Sequence, residues 1–345
     1  MGVDARQERA SADRPGPASP LRAACRVLDR VDAWWFAPVP VLPMALARVL
    51  LGTVLLGAYL SLLPWYGEAL AADGLLGGAF QADVPGMTIG RSTTQHLRWL
   101  QGVTAPLPMA VLYVALLLCS AAFTVGYRTR PAGAAALLLH LAFHGRNEFV
   151  FWGWPEMLTA FTLTVVLAPS CRRLSIDAWR RRRAGTTEQE VMAAWPLRLL
   201  QLHVALVYVV AAWSRLDNPH WLDGSMLSRI LADGTFSRWP VLATAPEPLL
   251  AALTYAAWAV ELASPFALWQ AGTRRWFVAA LVGLHAGLEL LTRVGWWNVV
   301  MLAGLAAFAP LPWLEALVGL PARIVRRLRW RSVGRGPRSR GARPD

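Results

Sequence analysis

His140, His144 and Glu148 recur every four residues within an apolar stretch, so a helix would stack them roughly on one face. Two histidines one turn apart can ligate a single metal ion, with His203 or His285 as a further ligand. No HExxH motif and no carboxylate cluster of metal-binding spacing accompanies them, and a haem would need paired axial ligands on facing helices. The reading adopted is a polar seam facing the interior of a helix bundle. No metal is assigned, and His140 and His144 are the residues one would use.

A second constellation is Tyr208-Val-Val-Ala-Ala-Trp-Ser-Arg215-Leu-Asp217-Asn-Pro-His220-Trp221-Leu-Asp-Gly224. A helix here leaves an apolar environment and ends in a base, an acid, a proline, a tryptophan and a glycine. Charges fixed at a water boundary on a rigid helix end can hold a polar headgroup. Asp217 would pair with Arg215 or cap the next element; the plainer alternative is an interfacial anchor followed by a turn. Arg48 and Glu261 are ionisable groups inside apolar stretches, and they are expected to form a structural intramembrane pair.

These residues must be positioned by membrane helices. Hydrophobic residues make up 56% of the 345 and charged residues only 16%, against about 25% charge in soluble domains. The formal net charge of +13 would suggest nucleic acid in a soluble chain. Here the arginines sit at the two ends and in short connectors, which is the pattern that orients a membrane protein. All 34 basic residues are Arg, so no mechanism needing a lysine base is available, and the composition suggests a GC-rich bacterial genome. Three cysteines, Cys25, Cys119 and Cys171, suggest no disulfide framework.

Eight apolar segments fall at 41–63, 107–127, 132–149, 153–169, 196–214, 249–270, 275–291 and 296–313. About 20 apolar residues cross a hydrocarbon core. With the N-terminus inside, 25 arginines fall on the inner side and seven on the outer. The expected fold is an all-α polytopic bundle of about eight transmembrane helices, with both ends in the cytoplasm, in the cytoplasmic membrane. Many of the 18 tryptophans flank segment ends, where the indole sits at headgroup level. Residues 1–30 read as a disordered arm, 27–37 as an interfacial helix, 41–313 as the membrane domain and 314–345 as a basic tail. The first apolar run begins too late for a cleavable signal peptide. The outer loops 64–106 and 215–248 are long enough to fold over the membrane mouth. No internal repeat is legible, which disfavours an inverted-repeat transporter.

Several motifs in order resemble the HTTM family, the horizontally transferred transmembrane domain related to vitamin K-dependent gamma-carboxylase. They are Ala47-Arg48 to Gly52, Gly126-Tyr-Arg-Thr-Arg130, Arg146-Asn147-Glu-Phe-Val-Phe-Trp-Gly153, Leu174-Ser-Ile-Asp177, Glu261-Leu-Ala-Ser-Pro-Phe266 and His285. The resemblance implies a base at the outer end of the fifth helix. The carboxylase branch has Lys-Leu-Asp there, whereas this chain has Arg215-Leu216-Asp217, and arginine does not readily lose its proton. A histidine of that branch matches Glu148, and the large lumenal domain has no counterpart here. Carboxylase activity is therefore not expected.

The resemblance extends to bacterial membrane proteins that mature a secreted sporulation-delaying peptide. The leading expectation is a non-carboxylating protein that binds a lipid-like ligand or assists a secreted or membrane-associated peptide or protein. Its outer pocket would be lined by Arg215, Asp217, Glu148, His144, His285, Asn147 and Trp221. No catalytic residue is assigned, and the partners are membrane lipids rather than nucleic acid. The alternatives are a quinone-dependent redox enzyme, with Glu148 or His144 as proton acceptor, and a transporter.

Overall fold

Proline in the first turn opens four of the long helices, where its missing N–H has no intrahelical partner to lose. The computed structural model describes residues 20–74, 100, 102–147, 154–186 and 189–320. It comprises α1 (Pro20–Phe36), β1 (Pro38–Pro40), α2 (Leu42–Leu62), α3 (Pro106–Val125), α4 (Thr129–Arg146), α5 (Trp154–Leu167), α6 (Ile176–Arg183), β2 (Val191–Ala193), α7 (Trp195–Ser214), α8 (Met226–Ala232), α9 (Glu247–Ala267), α10 (Arg274–Leu291), α11 (Trp297–Leu305) and α12 (Leu311–Leu320). Four stretches, Leu42–Ala69 and the helices α3, α7 and α9, are long and apolar enough to cross a membrane. Exposed apolar stripes run along them: Leu107, Val111, Val114 and Leu118 on α3, and Leu249, Leu253, Leu262 and Phe266 on α9. Such surfaces are at home against lipid.

Each expected apolar segment contains a helix, with two departures. Helix α1 starts at Pro20 and takes in part of the stretch expected to be disordered; it is pinned by Trp34, which lies 6.0 Å from Trp269 and under the Arg198 guanidinium. The segment 296–313 is broken: α11 ends at Leu305, the chain turns before Pro310, whose ring disfavours a helical residue ahead of it, and α12 begins at Leu311. The arm 1–19, most of the 64–106 loop and the tail 321–345 lie outside the described residues.

The chain also contains an internal repeat that the sequence reading did not find. Helix α2 packs on α3, α3 on α4, α4 on α5 and α5 back on α2; in the same order α7 packs on α9, α9 on α10, α10 on α11 and α11 back on α7. The fourth helix of each unit packs on the first helix of the other, α11 on α2 and α5 on α7, and α5 meets α11. The strands that lead into α2 and α7 pair antiparallel, with Val39 opposite Met192, Pro38 opposite Ala193 and Pro40 opposite Val191. Reciprocal contacts and a self-complementary ribbon are what a two-fold axis between the units produces. Both units begin at the ribbon end, so the repeat is parallel rather than inverted.

Aligning the units from the first residue of each helix places Pro43 opposite Pro196, Arg48 opposite Gln201 and His140 opposite His285. The chemistry follows the alignment. Arg48 donates to Ser170 O at 2.8 Å and Gln201 to Ala307 O at 2.7 Å, carbonyls that follow the fourth helix of their respective units. His140 and His285 each share a 2.9 Å hydrogen bond with a tyrosine of the first helix, Tyr59 and Tyr208.

Candidate functional site

Most of the motif residues build the frame. Gly126 ends α3 in the left-handed region, at φ 71°, and a Cβ there would collide with Ser175. The tight turn lets Asp177 reach the start of α4, where it accepts from Arg128 N (3.0 Å), Thr129 N (2.9 Å) and Thr129 Oγ1 (2.8 Å). Burial alone would raise the Asp177 carboxyl, but these bonds and the Arg181 charge outweigh it and hold it below its ordinary value. Arg48, fully buried, donates to the carbonyls of Ser170, Arg173 and Leu174, fastening the same corner. Gly52 lets α2 approach α3 closely, since a Cβ would strike Thr124.

At the opposite end, Arg146 donates to Leu70 O, Ala71 O and Leu100 O, and Asn147 donates to Ala69 O. Both side chains are buried and tie down the α2–α3 connection.

Aromatic rings pack the interior of the first unit among the described residues. Tyr59, Tyr113 and Phe143 pack edge to face, with centroids 5.4–6.2 Å apart, and the Tyr113 hydroxyl donates to Tyr59 O. His140 and His144 stack at 6.2 Å, and His144 Nε2 lies 3.9 Å from Glu156. Among the described residues, no group of three or more His, Cys, Asp or Glu side chains could hold a metal ion.

The second unit is hollow. The positions aligned with Tyr59, Tyr113, Leu116 and Phe143 are Ala212, Thr254, Ala257 and Leu288. Ala142, fully buried, becomes Gly287. A cavity of about 880 Å³ occupies this side, with Thr254, Ala257, Gly287 and Leu288 among its walls. A volume of this size is in the range of small-molecule sites. Gly283 and Gly287, one turn apart on α10, also line it, and a Cβ at either would meet nothing within 4 Å. The α8 residues Met226, Leu227 and Ile230 close one side. Leu227 N donates to Thr254 Oγ1 at 3.2 Å, which holds α8 to α9.

The polar wall is built from all four helices of the unit. Arg215 is the C-cap of α7, where the helix dipole favours a cation. It pairs with Glu261 of α9, and its guanidinium lies 4.0 Å from the centroid of the Trp221 ring. Behind Asn298 of α11 a chain of hydrogen bonds runs across the unit. Glu289 can only accept when ionised, so Asn298 Nδ2 donates to it at 3.4 Å, and Asn298 Oδ1 accepts from His285 Nδ1 at 3.1 Å. His285 Nε2 then accepts from the Tyr208 hydroxyl. Glu289 ends the chain against Arg238 at 3.3 Å.

Of the residues expected to line one pocket, Arg215 and Trp221 line this cavity. His285 stands behind Asn298, and Asp217 is exposed on the connection after α7. His144 and Asn147 belong to the first unit, and Glu148 lies outside the described residues. The expected Arg48–Glu261 pair is corrected: Arg48 fastens backbone carbonyls and Glu261 takes Arg215, because α9 packs on α7 and α10 whereas α2 packs on α3, α5 and α11. Sequence reasoning missed Asn298, Thr254 and the α8 residues, which carry no charge to draw notice. The glycine pair one turn apart on α10 was the available signal for a hollow face.

The family model described as the HTTM domain matches residues 92–313. No curated protein and no solved structure matches the chain. The matched span takes in α3 to α11, from the second helix of the first unit to the end of the second unit, and is more than half of the sequence. The chain therefore belongs to the HTTM family.

Proposed function

We propose that this HTTM protein crosses the membrane eight times with both ends in the cytoplasm, and that it holds a lipid-like ligand in the cavity of its second unit. The observation that carries the reading is the contrast between the units: one is plugged by Tyr59, Tyr113 and Phe143, while smaller residues leave the other open. Duplicated frames need not both be filled, and the open one carries the buried ion pair and polar chain that are costly inside a membrane. The walls are mainly apolar, which suits a ligand drawn from the bilayer. The eight-crossing topology is supported by two four-helix units that start at one end and by the 25-to-seven split of arginines.

In this reading residues 41–313 form the membrane domain, flanked by an arm with its interfacial helix (1–40) and a basic tail (314–345). The protein sits in a bacterial cytoplasmic membrane and assists a membrane-proximal peptide or protein partner. It is not a carboxylase, since Arg215 stands where that branch has its lysine. Mass spectrometry of organic extracts, from wild type and Gly287→Phe purified in mild detergent, tests the binding. A lipid-like species present in wild type and absent from the variant is expected; the same content in both overturns the reading.

The chain from Tyr208 through His285 and Asn298 to Glu289 favours a second reading, a quinone-dependent redox enzyme. It offers a hydrogen-bonded route from the cavity wall to a partly exposed carboxylate. A quinone among the extracted species would support it, and quinone-free extracts would remove it.

A further inference from the structure

Charges around the cavity do not balance. Arg215 is matched by Glu261, and Arg238 by Glu289. Arg293 lines the cavity at its rim, is exposed, and its guanidinium has no hydrogen-bond or ion-pair partner among the described residues. Among the residues that line the cavity, Arg215 and Arg293 face the single acid Glu261.

The backbone at the rim points the same way. Carbonyls in the last turn of α10 would repel an anion, but they are already engaged. Arg238 Nε donates to Glu289 O and Thr292 O, Trp239 Nε1 to Leu290 O, and Arg238 N to Leu291 O. The first turn of α11 opens at this rim, with Trp297 and Asn298 lining the cavity and no side chain capping it. A helix start carries partial positive charge, which favours an anion nearby.

From Arg293 the cavity follows one face of α10 through Leu291, Leu288, Gly287, Leu284 and Gly283. The eight steps from Gly283 to Leu291 rise about 12 Å along the helix. That is an elongated apolar track, bare of side chains at the two glycines.

Building on the lipid-like reading of this cavity, we propose that it takes an amphiphile with an anionic head and a single aliphatic chain. Arg293 holds the head, a carboxylate or a phosphate ester, and the chain lies along the glycine face of α10. Arg293 is the specificity-determining residue.

The test is binding of radiolabelled palmitate, 1-palmitoyl lysophosphatidate and hexadecanol to the full chain in maltoside detergent, by scintillation proximity. At least one anionic probe is expected to bind about tenfold more tightly than hexadecanol, as one charge-assisted contact can give. Arg293→Gln, at an exposed position, should erase that gap by weakening the anionic probes. Gly287→Phe should abolish binding of every probe, with gel filtration confirming that both variants remain folded. Palmitate alone binding tightly assigns a carboxylate head, and lysophosphatidate alone assigns a phosphate. If hexadecanol binds as tightly as both anions, or the gap survives Arg293→Gln, the anionic assignment falls while the lipid-like site stands. If no chain binds, or Gly287→Phe changes nothing, both fall.

Discussion

The Arg215 guanidinium pairs with the Glu261 carboxylate across the α7–α9 interface while lying over the Trp221 ring. The Glu261 side chain is only 6% exposed and that of Arg215 17%, so each depends on the other for compensation. Removing one partner of a buried pair costs about 3–5 kcal/mol, whereas replacing both with apolar residues is often neutral. Glu261→Leu should therefore lower the thermal midpoint of the detergent-solubilised protein more than Arg215→Leu/Glu261→Leu does. A double variant as unstable as the single one would show that the two are not coupled.

Thr254→Tyr restores at one position the side chain that fills the first unit. Because the cavity has room for the ring, the variant should lose any co-purifying ligand and lose no more stability than the Leu227–Thr254 bond supplies, about 1 kcal/mol. A well-packed site would lose a further ~1–3 kcal/mol to overpacking, so a fall clearly beyond that bond would contradict a hollow second unit.

Tyr113→Thr is the converse change. It removes a ring from the packed Tyr59–Phe143 cluster and the hydroxyl bond to Tyr59 O. By analogy with large-to-small core substitutions, the loss should be about 3–5 kcal/mol. Ligand retention by the second unit should persist in the folded fraction, read by mass spectrometry of its extracts.

Asp177 makes the α3–α4 corner acid-sensitive. Its folded pKa lies below its ordinary value, so its contribution is present above the unfolded pKa of about 3.9 and lost as pH falls through the depressed folded value. Asp177→Ala should destabilise the protein at pH 7 by about 1 kcal/mol. The gap between variant and wild type should close toward the acid end of a stability–pH series. A gap independent of pH down to the acid limb would mean that the carboxylate charge is not what holds the corner.

The sequence by itself determined the helices. Apolar runs long enough to leave water and tryptophans at the ends place α2, α3, α4, α5, α7, α9 and α10 within a few residues, because helix formation in an apolar setting depends on local composition; the short helices α6 and α8 lie in connections and were not legible. It also singled out Arg215 and Trp221 as neighbours at the end of α7, since they lie close along the chain. Which helix packs on which was decided only by the tertiary structure. Hydropathy is the same for every apolar helix and carries no address, so Glu261 was matched with Arg48 when the fold gives it Arg215. The repeat stayed hidden for a related reason: connections of unequal length shift the units out of register, and beyond Pro43/Pro196 and His140/His285 most surviving identities are between common apolar residues, such as Leu46/Leu199 and Ala58/Ala211. What persists is the pattern of faces in contact. The cavity follows from that pattern, because Thr254, Ala257 and Gly287 are unremarkable small residues until the fold sets them where Tyr113, Leu116 and Ala142 fill the other unit.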